Sequence, residues 1–404
     1  MRAAVLVLAV LLPSTLPLEP GGLARQANTA APRPAGPVTV PIQLDHNRVV
    51  VDLQARRQDG SMRPVRAWLD LWGSEVLLTG TLARDLGLTM PDTEAKTVEV
   101  ALPLPVHLVE LACDVGGLKG RVPTGSRWLV PGLGVEMKLP LTAFHRYQVV
   151  LDYPARQLTL AVPGAIPHRG ARIPAAINPK NGMIQIDARI DGEAHGFVLD
   201  GAPYSAVSDT LVNELASRHP DWPRRTGALG AANVWGMGGE DTWPMLRVPT
   251  LQVGTVSVTG LGLVGPPGFI GYYSSQALRP VSGLLGGNFL SGLRIDFDLA
   301  APALYIESAH PDRGGDLDLV GLTLQPQSDG TYAVLAVAIR DGQAVVERAE
   351  PGDKLVLVDG VDVTGADMGA VIDRLRGTPG QVHTLVFDRK GQRFSVMARV
   401  ERFM

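Results

Sequence analysis

The chain of 404 residues contains a single cysteine, Cys113, so no internal disulfide can form, and with no histidine expected to partner it the thiol reads as a small buried hydrophobe rather than a nucleophile. Aromatic residues make up only 5% of the chain, and Lys and Arg are scattered with no long basic run at a formal net charge of −3. Nucleic acid is therefore excluded as a partner, because binding it requires a concentrated basic face. The eight histidines are dispersed, with no H-E-x-x-H and no pair at ligand spacing, so no metal site is expected. There is no G-x-S-x-G turn for a serine hydrolase. "GLGLVG" (260–265) satisfies G-x-G-x-x-G but runs into "PPGF" instead of opening a helix, so dinucleotide binding is not expected, and no organic cofactor is implied. Long apolar runs are missing except for one near the start: Ala3 to Leu12 follows Arg2 and stops at Pro13. That length suits the core of a signal peptide and is too short to span a bilayer. Export to the periplasm or beyond is expected, with membrane attachment only if this segment stays uncleaved.

Glycine (46) and proline (32) are plentiful, and between them stand short, alternating, β-branched runs. This pattern predicts a mostly β protein. Three short helices are expected, at 79–87, 208–219 and 364–377, each opening with a Ser or Thr cap. The organisation expected is a signal peptide (1–25), a flexible Ala/Pro-rich leader (26–38), a first β lobe (39–165), a second β lobe (170–307), a linker (308–317) and a separate C-terminal unit (318–404). A monomer is expected.

The two lobes repeat each other. "AWLDLWGSEVLL" (67–78) and "FVLDGAPYSAVS" (197–208) each run an apolar strand into one aspartate, turn through glycine and resume as a strand. Each then leads into a short helix. Farther on, "VVLDYPARQL" and "IDFDLAAPAL" place Asp152 and Asp298 where closing strands turn. A carboxylate at the end of a buried strand is costly unless something shares its charge. Two related lobes can bring Asp70 and Asp200 together, and a pair that shares one proton can activate a water: one carboxylate takes the proton while the other polarises a carbonyl.

These residues resemble the retropepsin-like and pepsin-like aspartic proteases, most closely exported bacterial forms with a C-terminal PDZ domain. The resemblance rests on the two Asp strands, on "GLLGGNFL" (283–290), which is similar to the family's hydrophobic-hydrophobic-Gly segment, and on "WGMGGED" (235–241), which is similar to its flap. It implies two β-barrel lobes arranged as a pseudo-dimer, with an α+β PDZ domain behind them. It also implies a catalytic dyad of Asp70 and Asp200, flap or cleft residues Trp235, Gly236, Gly238 and Gly239, and active-site loop support from Gly73, Ser74, Gly201, Ala202, Gly286 and Asn288. "AEPGDKLVLVDGVDV" (349–363) resembles a PDZ domain, which would bind extended peptide in a groove between 331–337 and the last helix, formed by Leu322, Tyr332, Val334, Met368, Val371 and Ile372. The sequence departs from the protease pattern at the dyad. The family has Asp, then Thr or Ser, then Gly, whereas Asp70 is followed by Leu71, Trp72 and Gly73, and Asp200 by Gly201, Ala202 and Pro203. In lobe one the Gly segment is replaced by "LPLTAF" (139–144). Two functions stay open: an aspartic endopeptidase acting on polypeptide, or a catalytically degenerate envelope protein that binds peptide or protein.

Overall fold

The computed structural model describes residues 36–89, 97–100, 106–108, 111–113, 119–123, 134–227, 230–231, 242–299, 301–327, 329–340 and 343–404. The expected signal segment and most of the leader, and the flap candidates Trp235, Gly236, Gly238 and Gly239, lie outside the described residues. Among those described, no helix is long and apolar enough to cross a membrane.

The protein is mostly β and is built from several sheets. In the first lobe, Arg48–Arg56 and Met62–Asp70 form an antiparallel hairpin. Met137–Pro140 then lies parallel to the end of the second strand, with Leu139 opposite Leu69 and Pro140 opposite Asp70, and pairs antiparallel with Glu75–Leu78 on its other side. The second lobe repeats this arrangement. Ile184–Ile190 and Glu193–Leu199 form the hairpin, and Gly283–Leu285 runs parallel to the latter with Leu285 opposite Leu199 and antiparallel to Ser205–Val207. Strands flanked on both sides and packed on the core read as unbroken apolar runs, which is why both aspartates end such runs. The residue after each resumed strand caps a helix. Thr79 Oγ1 accepts from the Leu82 N–H at 3.1 Å at the start of α1 (Gly80–Asp85), and Ser208 Oγ accepts from the Leu211 N–H at 3.1 Å at the start of α2 (Asp209–Arg218). The second lobe adds α3 (Phe269–Gln276) before its parallel strand and α4 (Gly287–Leu290) after it.

A six-stranded sheet joins the lobes in a palindromic order: Val38–Pro41, Gln157–Ala161, Gln148–Asp152, then Leu293–Asp298, Ala303–Ser308 and Ala171–Pro174. At its centre Val150 faces Asp296 and Leu151 faces Ile295, antiparallel, so each lobe gives one hairpin to the shared sheet. One continuous core spans both lobes and includes Leu69, Leu139, Leu199 and Leu285. Asp152 and Asp298 sit where their strands turn, each accepting the backbone N–H three residues on (Ala155 and Ala301) at 2.9 Å.

The C-terminal unit is a sheet ordered Gly230–Ala231, Leu322–Pro326, Tyr332–Val337, Lys354–Val358, Val382–Arg389, Gln392–Arg402 and Asp318–Val320, with α5 (Met368–Leu375) packed on it. Its first strand comes from the second lobe and lies parallel to the edge of Leu322–Pro326. The stretch read as a linker is tied down: Arg247 meets Asp316 at 2.7 Å, and the Arg313 guanidinium donates to the carbonyls of Asn288 and Phe289. Leu322, Tyr332, Val334, Met368, Val371 and Ile372, expected to line a groove, are all buried in this unit's own core. Strand 332–337 pairs with Leu322–Pro326 along one side and, at Tyr332 and Ala333, with Leu355 and Lys354 on the other. The outermost of the unit's own strands, Leu322–Pro326, is itself covered at Thr323 and Leu324 by Gly230–Ala231.

Candidate functional site

Asp70 and Asp200 end equivalent strands in the two lobes and are 3% and 5% exposed. Their loops meet: a Cβ on Gly201 would stand 3.1 Å from the Leu69 carbonyl and 3.4 Å from Asp70 Oδ1. Gly201, the residue after Asp200, therefore lies against the end of the Asp70 strand. Their partners differ. Asp70 Oδ2 lies 2.6 Å from Lys138 Nζ. Burial pushes the Asp70 carboxyl up to about 6, and the nearby Asp200 adds to the rise, while Lys138 and the Leu71 N–H oppose it. Burial disfavours the Lys138 charge as well, but the Asp70 carboxylate outweighs it and the ammonium is held more tightly than usual. Asp200 Oδ2 accepts from the Trp72 indole N–H at 2.8 Å and from the Tyr273 hydroxyl at 2.9 Å, and Oδ1 accepts from the Ala202 N–H at 2.7 Å. Burial, and then the charge of Asp200, raise the Tyr273 phenol well above its ordinary range, so it stays a donor.

Trp72 links the two loops. Its indole reaches from the first-lobe loop to the second-lobe carboxylate, so a ring N–H cross-links the two loops. The ring stands edge-on to Tyr273 at 5.9 Å between centroids, and Tyr272, 53% exposed, stands edge-on to Tyr273 at 5.7 Å. Aromatic side chains thus rim the site. Trp68 lies beside it with Lys138 Nζ 5.2 Å from its ring centroid, and its buried indole N–H has no hydrogen-bond partner among the described residues.

The supporting residues hold the loops. Gly73 has φ 128°, where a side chain would be strained; its N–H donates to the Asn181 carbonyl and its own carbonyl accepts from Thr142 Oγ1, each at 2.6 Å. Ser74 is exposed on the same turn. Gly201 and Ala202 carry the second turn, and both are buried. A Cβ on Gly286 would come within 2.3 Å of the Tyr204 carbonyl, so the strand can pass there only without a side chain. Asn288 Oδ1 accepts from the Ser205 N–H (2.7 Å) and hydroxyl (2.8 Å), and Asn288 Nδ2 donates to the Gly262 carbonyl at 2.8 Å. Lys138 and Tyr273 escaped sequence reasoning. A signal existed for Lys138: it is the one charge in "MKLP", between inward-facing Met137 and Leu139 and two residues before the partner of Asp70. Tyr273 lies in α3, which the first lobe has no counterpart to reveal.

Asp70 Oδ2 is thus paired with an ammonium, and Asp200 accepts three hydrogen bonds, one of them from the first-lobe loop.

No family model matches the chain, and no curated protein matches it. Solved structures similar to it include the basic 7S globulin from soybean (12% identity, 69% of this chain and 96% of that one, TM-score 0.41) and conglutin gamma, a basic 7S globulin from lupine seeds (13% identity, 68% and 95%, TM-score 0.39). A structure titled edgp is similar at 12% identity, 68% and 95% coverage and a TM-score of 0.40. Likeness at this level carries no argument about activity. The membership expected from the sequence, in an exported aspartic protease family with a PDZ domain, is corrected: no model of such a family matches, and the soybean and lupine structures are seed globulins by name.

Proposed function

We propose that the chain is an exported peptide-binding protein built from two duplicated β-barrel lobes, in which Asp70 and Asp200 lock the lobes together and hydrolyse nothing. The observation that carries this reading is the pairing at the dyad, an ammonium on one carboxylate and indole and phenol donors on the other. The exposed Tyr272, edge-on to the Tyr273 that also meets Trp72, gives an extended peptide an apolar rim at the loops. The C-terminal unit offers a second mode, since the protein's own Gly230–Ala231 already adds to the edge of Leu322–Pro326 as a strand does in β-augmentation. The test is to incubate a pool of unstructured decapeptides with wild type, Asp200→Asn and Lys138→Met across pH 4 to 8, following both cleavage and retention. Retention without cleavage is expected from all three. Cleavage by wild type that Asp200→Asn abolishes would overturn the reading in favour of a peptidase.

A further inference from the structure

One turn of the first lobe touches every part of the molecule. His46 and Asn47, at φ 49° and 66°, join Gln43–Asp45 to Arg48–Arg56. Asn47 Nδ2 donates to the Pro203 carbonyl of the second lobe at 3.3 Å, and the His46 ring stands edge-on to Tyr204 of that lobe at 5.1 Å. Toward the C-terminal unit, Asp45 Oδ1 accepts from the Gly369 N–H of α5 at 2.6 Å. A Cβ on Gly369 would meet the His46 backbone nitrogen at 2.3 Å, so the turn and the helix are in direct backbone contact.

The imidazole is 3% exposed, and neither ring nitrogen has a hydrogen-bond partner among the described residues. The groups facing it cannot accept a proton's charge. Asp45 uses Oδ1 on Gly369, and its Oδ2 is ion-paired with Arg48 at 2.5 Å. Arg48 and Arg376 are both cationic neighbours, and among the described residues of the second lobe the group facing it is the Tyr204 phenol, which lies beside Arg376. Asp316 lies beyond Tyr204, engaged with Arg247, and Asp367 is held by Arg66 at 3.0 Å. A buried cation without a carboxylate is among the costliest things a core can hold.

We propose that the His46 turn is an acid-released clasp, in which protonation of the imidazole undocks the C-terminal unit from the two lobes. This is independent of what the protein binds. Burial, then Arg376 and Arg48, hold the His46 pKa well below its ordinary value, so the docked form keeps it neutral. The sign follows. A depressed histidine contributes its docking stability above the ordinary histidine range and loses it as the pH falls from there toward the buried value. One pH unit below an ordinary value near 6.5, the undocked population rises about tenfold.

The experiment is hydrogen exchange on the full chain at pH 7.5 and 5.5, corrected for intrinsic rates, read at 44–50 and 366–376. Wild type should open about tenfold more at the lower pH at both segments, and His46→Asn should not, since Asn adopts φ near 49° readily. His46→Gly serves as a second variant for the same reason. Asp70 also titrates near pH 6 but with the opposite sign, so Asp70→Asn leaves the acid opening in place. Equal pH dependence in wild type and either His46 variant, or no acid-dependent opening in wild type, overturns the proposal.

Discussion

Lys138 and Asp70 meet diagonally across two parallel strands: Lys138 is registered with Trp68 and Asp70 with Pro140, and the ammonium reaches the carboxylate at 2.6 Å. Residues two apart on a strand share a face, so the lysine lies where a neighbour of the aspartate must point. Removing one partner of a buried pair strands the other charge. Lys138→Met should therefore lose about 3–5 kcal/mol in urea unfolding. Lys138→Met combined with Asp70→Asn should recover most of that loss, because no charge is left without a partner. A double variant no more stable than Lys138→Met alone would show that the pair is not the source of the loss.

The raised Asp70 carboxyl sets a pH dependence. A carboxylate whose pKa rises on folding from an ordinary value near 4 to about 6 costs the folded state stability as the pH rises through that window. Two units correspond to on the order of 3 kcal/mol. Asp70→Asn strands Lys138 at every pH in this range, but its urea midpoint relative to wild type should shift in the variant's favour from pH 4 to pH 6.5 and level off above. A difference that stays flat across the window would contradict this.

Trp72 and Tyr273 both donate to the same oxygen of Asp200. Trp72→Phe and Tyr273→Phe each remove a donor and should each cost about 1–3 kcal/mol. The two should not add: with both gone, Oδ2 is buried with no donor at all, and the double variant should lose more than the sum. A thermodynamic cycle of the four proteins measures the excess.

The duplicated plan was legible because it rests on periodicity. Two apolar runs ending in Asp, two capped helices and two closing turns at Asp152 and Asp298 all fall where the pattern placed them. Alternation and caps are local, so sequence carries them. The chemistry of the dyad was less legible, because it depends on residues brought in from elsewhere: Lys138 lies 68 residues from Asp70 (138 − 70) and Tyr273 lies 73 from Asp200. The absence of a hydroxyl beside either Asp was visible, but the bond from the Trp72 indole to Asp200 was not, since nothing local tells which way Trp72 turns. The groove residues of the C-terminal unit were read from helical spacing at Met368, Val371 and Ile372, which equally describes a core face, and the core is where they lie.

Two glycines of the second lobe should respond to alanine with opposite signs. Gly286 follows the strand beside Asp200, and a Cβ there would meet the Tyr204 carbonyl at 2.3 Å and the Ala202 carbonyl at 2.8 Å, both backbone atoms that cannot swing aside. In the first lobe the equivalent position is Pro140, so the duplication alone does not demand glycine; the tighter approach of the 200–205 turn does. Gly286→Ala should push that turn away, strain the Ser205 and Asn288 bonds that brace it, and cost more than about 3 kcal/mol. Gly271 lies within α3 with nothing within 4 Å of a Cβ. Gly271→Ala should stabilise the protein by about 0.5–1 kcal/mol, through the lower entropy of the unfolded chain and the better helix propensity of alanine. Urea unfolding of both variants decides it, and a Gly286→Ala protein as stable as wild type would mean that the turn is looser than its contacts show.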